Sequence, residues 1–160
     1  MTDNLHARPL KSDQLDKAFA LIQLAFEDVS LERWRRHVHE SVDMDNDNAG
    51  WIAIEDDKDY IHGLIAYHVQ PDLMCGRTLI GHDIIIAGVA LGQITSCAVA
   101  GLSQIARHAG CDAVHINRIG SGGEAFDRGH QGLLDILLQS GFIDRGTHFC
   151  LRRVGSCPRS

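Results

Sequence analysis

The chain is 160 residues long, enough for one domain to bury a core without disulfide staples or a structural metal. Hydrophobic residues make up 44% and charged residues 22%, which is the balance of a globular chain and not of a disordered or membrane-embedded one. The net charge is −6 and the basic residues are scattered apart from Arg33, Arg35, Arg36 and Arg152, Arg153, so no broad nucleic-acid surface is expected.

The first residues contain neither a basic nor an apolar leader. Ala7-Arg-Pro-Leu10 reads as a short edge strand, because Pro9 has no N–H to give to a ladder. Ser12-Asp13 is a helix-capping pair, and Leu15, Ala18, Phe19, Ile22, Ala25 and Phe26 recur at three and four residues, predicting a helix from Asp13 to Glu27. Ser30 caps a second helix, Leu31 to Ser41, with Trp34 and Val38 facing inward. An acidic turn-forming stretch, Asp43 to Gly50, leads to a strand at Trp51 to Glu55. The turn Asp56 to Asp59 then makes a hairpin with a strand from Tyr60 to Val69, where Tyr60 and Tyr67 are expected to pack.

A further strand, Thr78 to Ala87, contains Ile84-Ile-Ile86 and reads as buried on both faces. The apolar run continues to Leu91, which is too short to span a bilayer, so a cytoplasmic protein with no membrane partner is expected. From Leu91 to Ala109 the spacing of Ile94, Cys97, Ala98, Leu102 and Ile105 is helical, and Gly110 ends the helix. Ala113 to Ile116 is a short buried strand, followed by the mobile loop Gly120-Ser-Gly-Gly123. A helix from Gly129 to Ser140 ends at Gly141, and a last strand runs from Thr147 to Val154. The order β-α-α-β-β-β-α-β-α-β predicts one α/β domain over residues 1–154, a mixed sheet with helices on both faces, and a polar tail at 155–160.

Metal-ligand spacings are missing. The five cysteines, Cys75, Cys97, Cys111, Cys150 and Cys157, contain no C-x-x-C, and are read mostly as buried thiols. His62 and His68 share a strand face but stand ~20 Å apart, and His37 and His39 point different ways on one helix. No metal is expected.

Three segments carry a family resemblance: Ala7-Arg-Pro-Leu-Lys-Ser-Asp13, Ala106-Arg-His-Ala-Gly-Cys-Asp-Ala113, and Gln139-Ser-Gly-Phe142 with Phe149-Cys-Leu-Arg-Arg-Val154. In this order and at these distances they resemble the GNAT superfamily of acyl-CoA N-acyltransferases over residues 7–154. The resemblance implies the GNAT fold, an acetyl-CoA or other acyl-CoA co-substrate, and a small-molecule or peptide amine acceptor; a homodimer is also compatible with it. It implies that the loop before the central helix, of pattern Arg/Gln-x-x-Gly-x-Gly/Ala, holds the pyrophosphate on backbone N–H groups and the helix N-terminus. The motif is degenerate here. Without gaps it falls on Ala90 to Thr95, and shifted by one turn it falls on Gln93 to Ala98, which keeps the Gln and the final Ala and is the preferred register.

The residues expected at the co-substrate are therefore Ile85, Ile86, Ala87, Gly92, Gln93, Ile94, Thr95, Ser96, Cys97 and Ala98, with His130 where the family often has an Asn. Leu137 stands at the position of the family's usual Tyr acid and has no proton to give. His82 falls near the family's carboxylate base, with Asp83 expected beside it on the opposite strand face, and an imidazole is a competent base near neutrality. Two readings remain open: an N-acetyltransferase, or a catalytically inactive relative serving as an acyl-CoA sensor or interaction module.

Overall fold

A computed structural model describes residues 4–41, 48–86, 91–117, 135–144 and 148–152. Strand β1 (His6–Pro9) leads through a 3-10 turn at Ser12–Gln14 to α1 (Leu15–Ala25), and α2 (Leu31–Ser41) follows. Strands β2 (Ala49–Glu55), β3 (Ile61–Asp72) and β4 (Gly76–Ile86) precede α3 (Leu91–His108) and β5 (Ala113–Asn117). Residues 135–139 are helical, and β6 (Ile143–Asp144) and β7 (His148–Arg152) close the chain. The two-residue β6 lies where the sequence suggested only a turn.

One mixed sheet takes all of the strands in the order β1-β2-β3-β4-β5-β7-β6. Its N-terminal half, β1 to β4, is antiparallel, and so is its C-terminal half, β5 to β7. The halves join through the parallel pairing of Thr78–Gly81 with Ala113–Ile116, which α3 makes possible as the crossover.

Alternation divides the apolar residues between two cores. Ile52, Ile54, Ile65, Leu79, Val114 and Ile116 pack under the α3 residues Ile94, Ala98, Leu102 and Ala106. Trp51, Ala53, Leu64, Ala66 and Ile85 face the other way, against Ala18, Leu21, Ile22, Trp34 and Val38 of α1 and α2. Trp34 anchors this second core. Its Nε1–H donates to the Leu15 carbonyl oxygen at 2.9 Å, and its ring meets Trp51 edge-on at 5.0 Å.

Local signals account for most helix ends. Ser30 Oγ accepts the Arg33 N–H at 3.1 Å and caps α2. Gly110 and Gly141 both have positive φ, +72° and +94°, and each stops its helix through paired bonds: Cys111 N–H to Ala106 and Gly110 N–H to Arg107, then Phe142 N–H to Leu137 and Gly141 N–H to Leu138. The start of α1 differs from expectation. Ser12 and Asp13 lie inside the 3-10 turn, which Gln14 Oε1 closes by accepting the Lys11 N–H at 2.9 Å, and the α-helix begins at Leu15. Tyr67 is buried as expected, whereas Tyr60 is 66% exposed and does not pack in a core, because it stands at the hairpin turn. Residues 42–47, the Gly120 loop, the first part of the last predicted helix and the tail 155–160 lie outside the described residues. No helix among the described residues is long and apolar enough to cross a membrane.

Candidate active site

The site is built where β4 breaks its own rules. Leu64 on β3 faces Ile85 and Ala66 faces His82, so the single residue Ile65 is opposed by both Asp83 and Ile84. This is a β-bulge, and Asp83 absorbs it with φ at +48°. The extra residue reverses the alternation: Leu79 faces α3 before the bulge, and Ile84 and Ile86 do so after it. His82 and Asp83 were expected on opposite faces. Instead their side chains meet, with His82 Nδ1 3.2 Å from Asp83 Oδ2, because the positive φ turns the second residue back beside the first.

Beyond the bulge, β4 continues to Ile86, whereas its described parallel ladder with β5 runs from Thr78 to Gly81 and β5 is described to Asn117. Between α3 and this end of the sheet lies a small apolar cleft of about 10 Å³, lined by Ile84, Ile86, Ile116, Leu137 and Thr95. Thr95 is 2% exposed, and its hydroxyl has no hydrogen-bond partner among the described residues. A polar atom so placed is costly to fold around unless a ligand uses it.

The helix start sets which amides remain available there. With Leu91 as the first described residue of α3, the N–H groups of Leu91, Gly92 and Gln93 have no acceptor among the described residues of the helix, whereas those of Thr95 to Ala98 belong to its ladder. Gly92 and Gln93 are exposed, Ile94 is buried in the α3 core, Thr95 and Ala98 line the cleft, Ser96 is exposed, and Cys97 is half-buried. Burial pushes the Cys97 thiol up, which makes it a poor nucleophile. Ile86 lines the cleft, but the side chain of Ile85 points into the α1–α2 core and leaves only its backbone near the cleft. Ala87 and His130 lie outside the described residues.

On the α1–α2 side of β4 lies a cavity of about 270 Å³. Phe26, Trp34 and Trp51 give it apolar walls, and Asp28, Arg33, His37 and Asp83 bring charge and hydrogen-bonding groups to it. Asp83 thus touches both this cavity and the His82 ring. The ring of His68 lies 5.1 Å from that of His82, and its Nε2 is 3.3 Å from Gln70 Oε1. Burial, followed by the neighbouring His82, pushes the His68 imidazole below its ordinary value.

Sequence reasoning missed His68 as a neighbour of His82. Its signal is the two-residue spacing from Ala66, which needs the β3–β4 register before it can be read. The α1–α2 cavity was also missed, since Asp28 and Trp51 are far apart in the chain and share no motif. His62, considered earlier with His68, is instead held by Asp56, with Nε2 2.8 Å from Oδ2.

The sheet order and the crossover through α3 match known structures over nearly the whole chain. The chain has the GNAT fold. It is similar over 99% of its length, and 98% of the other chain, to ribosomal-protein-S5-alanine acetyltransferase from Vibrio fischeri, with a TM-score of 0.69 and 10% identity. An aminoglycoside N-acetyltransferase in complex with CoA matches over 100% and 98% of the two chains, with a TM-score of 0.67 and 11% identity. Spermidine N-acetyltransferase from Vibrio cholerae, in complex with CoA and spermine, matches over 92% and 95%, with a TM-score of 0.64 and 11% identity. No protein-family model and no curated protein matches the sequence. The GNAT fold of this chain is thus carried by arrangement, at identities too low to transfer a substrate.

Proposed function

We propose that this GNAT-fold chain is an N-acyltransferase that moves an acyl group from acetyl-CoA or another acyl-CoA to an amine. The observation that carries this reading is the buried Thr95 hydroxyl, without a partner among the described residues, next to the start of α3 and the end of the described β4–β5 ladder. The thioester would lie beside that end of β4, with Thr95 offering a hydrogen bond to its polar groups. The pyrophosphate would lie on the N–H groups of Leu91 to Gln93, a placement that favours the gap-free register, Ala90 to Thr95, over the shifted one.

The amine would occupy the α1–α2 cavity, where Asp28 and Asp83 favour a cationic group and the two Trp rings an apolar body. With Asp83 accepting from Nδ1–H, His82 keeps its Nε2 lone pair for the amine proton. The amine nitrogen then adds to the thioester carbonyl carbon, the C–S bond breaks, and the CoA thiolate takes a proton from water, since Leu137 has none to supply. Sensing without turnover is favoured by one feature, the buried Leu137 in the cleft.

Calorimetry with CoA and acetyl-CoA, followed by thiol release with a panel of amines, separates the readings. The enzyme reading expects binding and turnover, with His82→Ala lowering kcat by about 10²- to 10⁴-fold. Binding without thiol release from any amine would leave the sensor. No binding at millimolar ligand would remove both.

A further inference from the structure

The fold gathers three side chains that are remote in sequence. Cys75 belongs to the turn between β3 and β4, His115 to β5 and Cys150 to β7. Their ligand atoms all lie within 4.8 Å of one another, and the residues are 4%, 5% and 1% exposed. His115 directly opposes Cys150 in the β5–β7 ladder, and its strand neighbours Val114 and Ile116 point the other way, into the α3 core. Cys75 packs with Ala113 and Cys150, and its turn is held by Asp72, whose Oδ1 accepts the Cys75 N–H at 2.8 Å. Spacing along the sequence argued against a metal, but that argument reaches only ligands close in the chain.

We infer that Cys75, His115 and Cys150 form a zinc-binding site. Two thiolates and a neutral imidazole are the donors that borderline-soft Zn²⁺ takes, and their charges cancel the ion's, so the buried complex is neutral. A monovalent soft ion such as Cu⁺ would leave a net negative charge in the same apolar setting, which disfavours it. Bond lengths of about 2.3 Å to sulfur and 2.0–2.1 Å to nitrogen place tetrahedral ligand atoms roughly 3.5–3.8 Å apart. From separations of up to 4.8 Å, the three atoms therefore need to draw together by at most roughly 1.3 Å, a movement that small side-chain rotations supply. Binding replaces two S–H protons: Zn²⁺ and two thiols give the dithiolate complex and two released H⁺. Water fills the fourth position.

The placement indicates a structural clamp. The described halves of the sheet are joined by only the short parallel ladder at Thr78–Gly81, and this site ties the β3–β4 turn to β5 and β7 across the same junction. Cys75 lies in the turn before β4, and His115 pairs with Ile80 near the middle of that strand.

The test uses the full chain, reduced and freed of metal, titrated with Co²⁺ as a spectroscopic probe and then with Zn²⁺. One equivalent of Co²⁺ should give thiolate-to-metal charge transfer in the near ultraviolet and intense tetrahedral visible bands, both abolished by Zn²⁺. Cys150→Ala should weaken Co²⁺ binding at least 100-fold, while Cys97→Ala leaves it unchanged. Alkylation of the wild-type chain provides a second readout that does not depend on the folding of Cys150→Ala: Zn²⁺ should slow modification of Cys75 and Cys150 at least tenfold and leave that of Cys97 unchanged. Absence of the charge-transfer band, or equal alkylation with and without Zn²⁺, would overturn the site. So would a Cys75–Cys150 disulfide that forms while the reduced chain takes up no metal.

Discussion

Replacing Thr95 by Val tests the central observation about the cleft. The two side chains have nearly the same shape and similar helix propensity, so the substitution exchanges one hydroxyl for one methyl group. The hydroxyl is buried and unpartnered, and the cleft around it holds about 10 Å³, at the lower limit for one water molecule, with apolar walls. An unsatisfied buried polar group costs about 1–3 kcal/mol, so Thr95→Val should stabilise the ligand-free protein by ~1–2 kcal/mol. For a chain of this size that raises Tm by roughly 2–8 °C. Urea unfolding should show a higher midpoint at unchanged slope. The same variant should weaken acyl-CoA binding by about 2- to 13-fold, the worth of one neutral hydrogen bond. Destabilisation by about 1 kcal/mol or more would show that the hydroxyl already has a partner, and the argument for a ligand there would fail.

Gly101 on α3 crosses β1 so closely that an added Cβ would sit 2.5 Å from Ala7 Cβ. Gly101→Ala should therefore cost about 1–3 kcal/mol by denaturant unfolding, and Ala7→Gly in the same chain should restore most of it. The His68 imidazole sits below its ordinary value in the fold, so stability is complete above about pH 6.5 and falls as pH drops toward the lowered folded value. His68→Gln should flatten that limb of the stability–pH curve, and an unchanged slope would remove His68 as its source. Asp56 is held below the usual carboxylate range, first by its hydrogen bond to His62 and then by backbone N–H groups of Tyr60 and Lys58. Its contribution is present above the ordinary carboxylate pKa and is lost as pH falls through the lowered folded value, so Asp56→Asn should remove part of the acid unfolding transition.

Periodicity and punctuation were sufficient for the elements. The stripe of α2, the Ser30 cap, the alternation in β2 and β3, and the stops at Gly110 and Gly141 depend on neighbours within a few residues, and each appears within three residues of its expected bounds. Their order, with antiparallel strands first and a crossover later, also implied the mixed sheet of the GNAT fold. Short-range forces that act within one turn or one hairpin leave their mark on local sequence.

The site obeys a different logic. The bulge at Asp83 is an irregularity in pairing between two strands, so nothing near residue 83 in the sequence reveals it, and with it went the expectation that His82 and Asp83 part. The described start of α3, and not the motif spelling, is what supports the gap-free register in the reading proposed above. Thr95 became notable only when the fold buried its hydroxyl among Ile84, Ile116 and Leu137. Cys75, His115 and Cys150 meet because a hairpin turn and two strands converge across the sheet. The sequence by itself determined which segments are helix and strand and which faces are apolar. Only the tertiary structure decided which polar atoms meet, because strand register and burial are set by packing between segments distant in the chain.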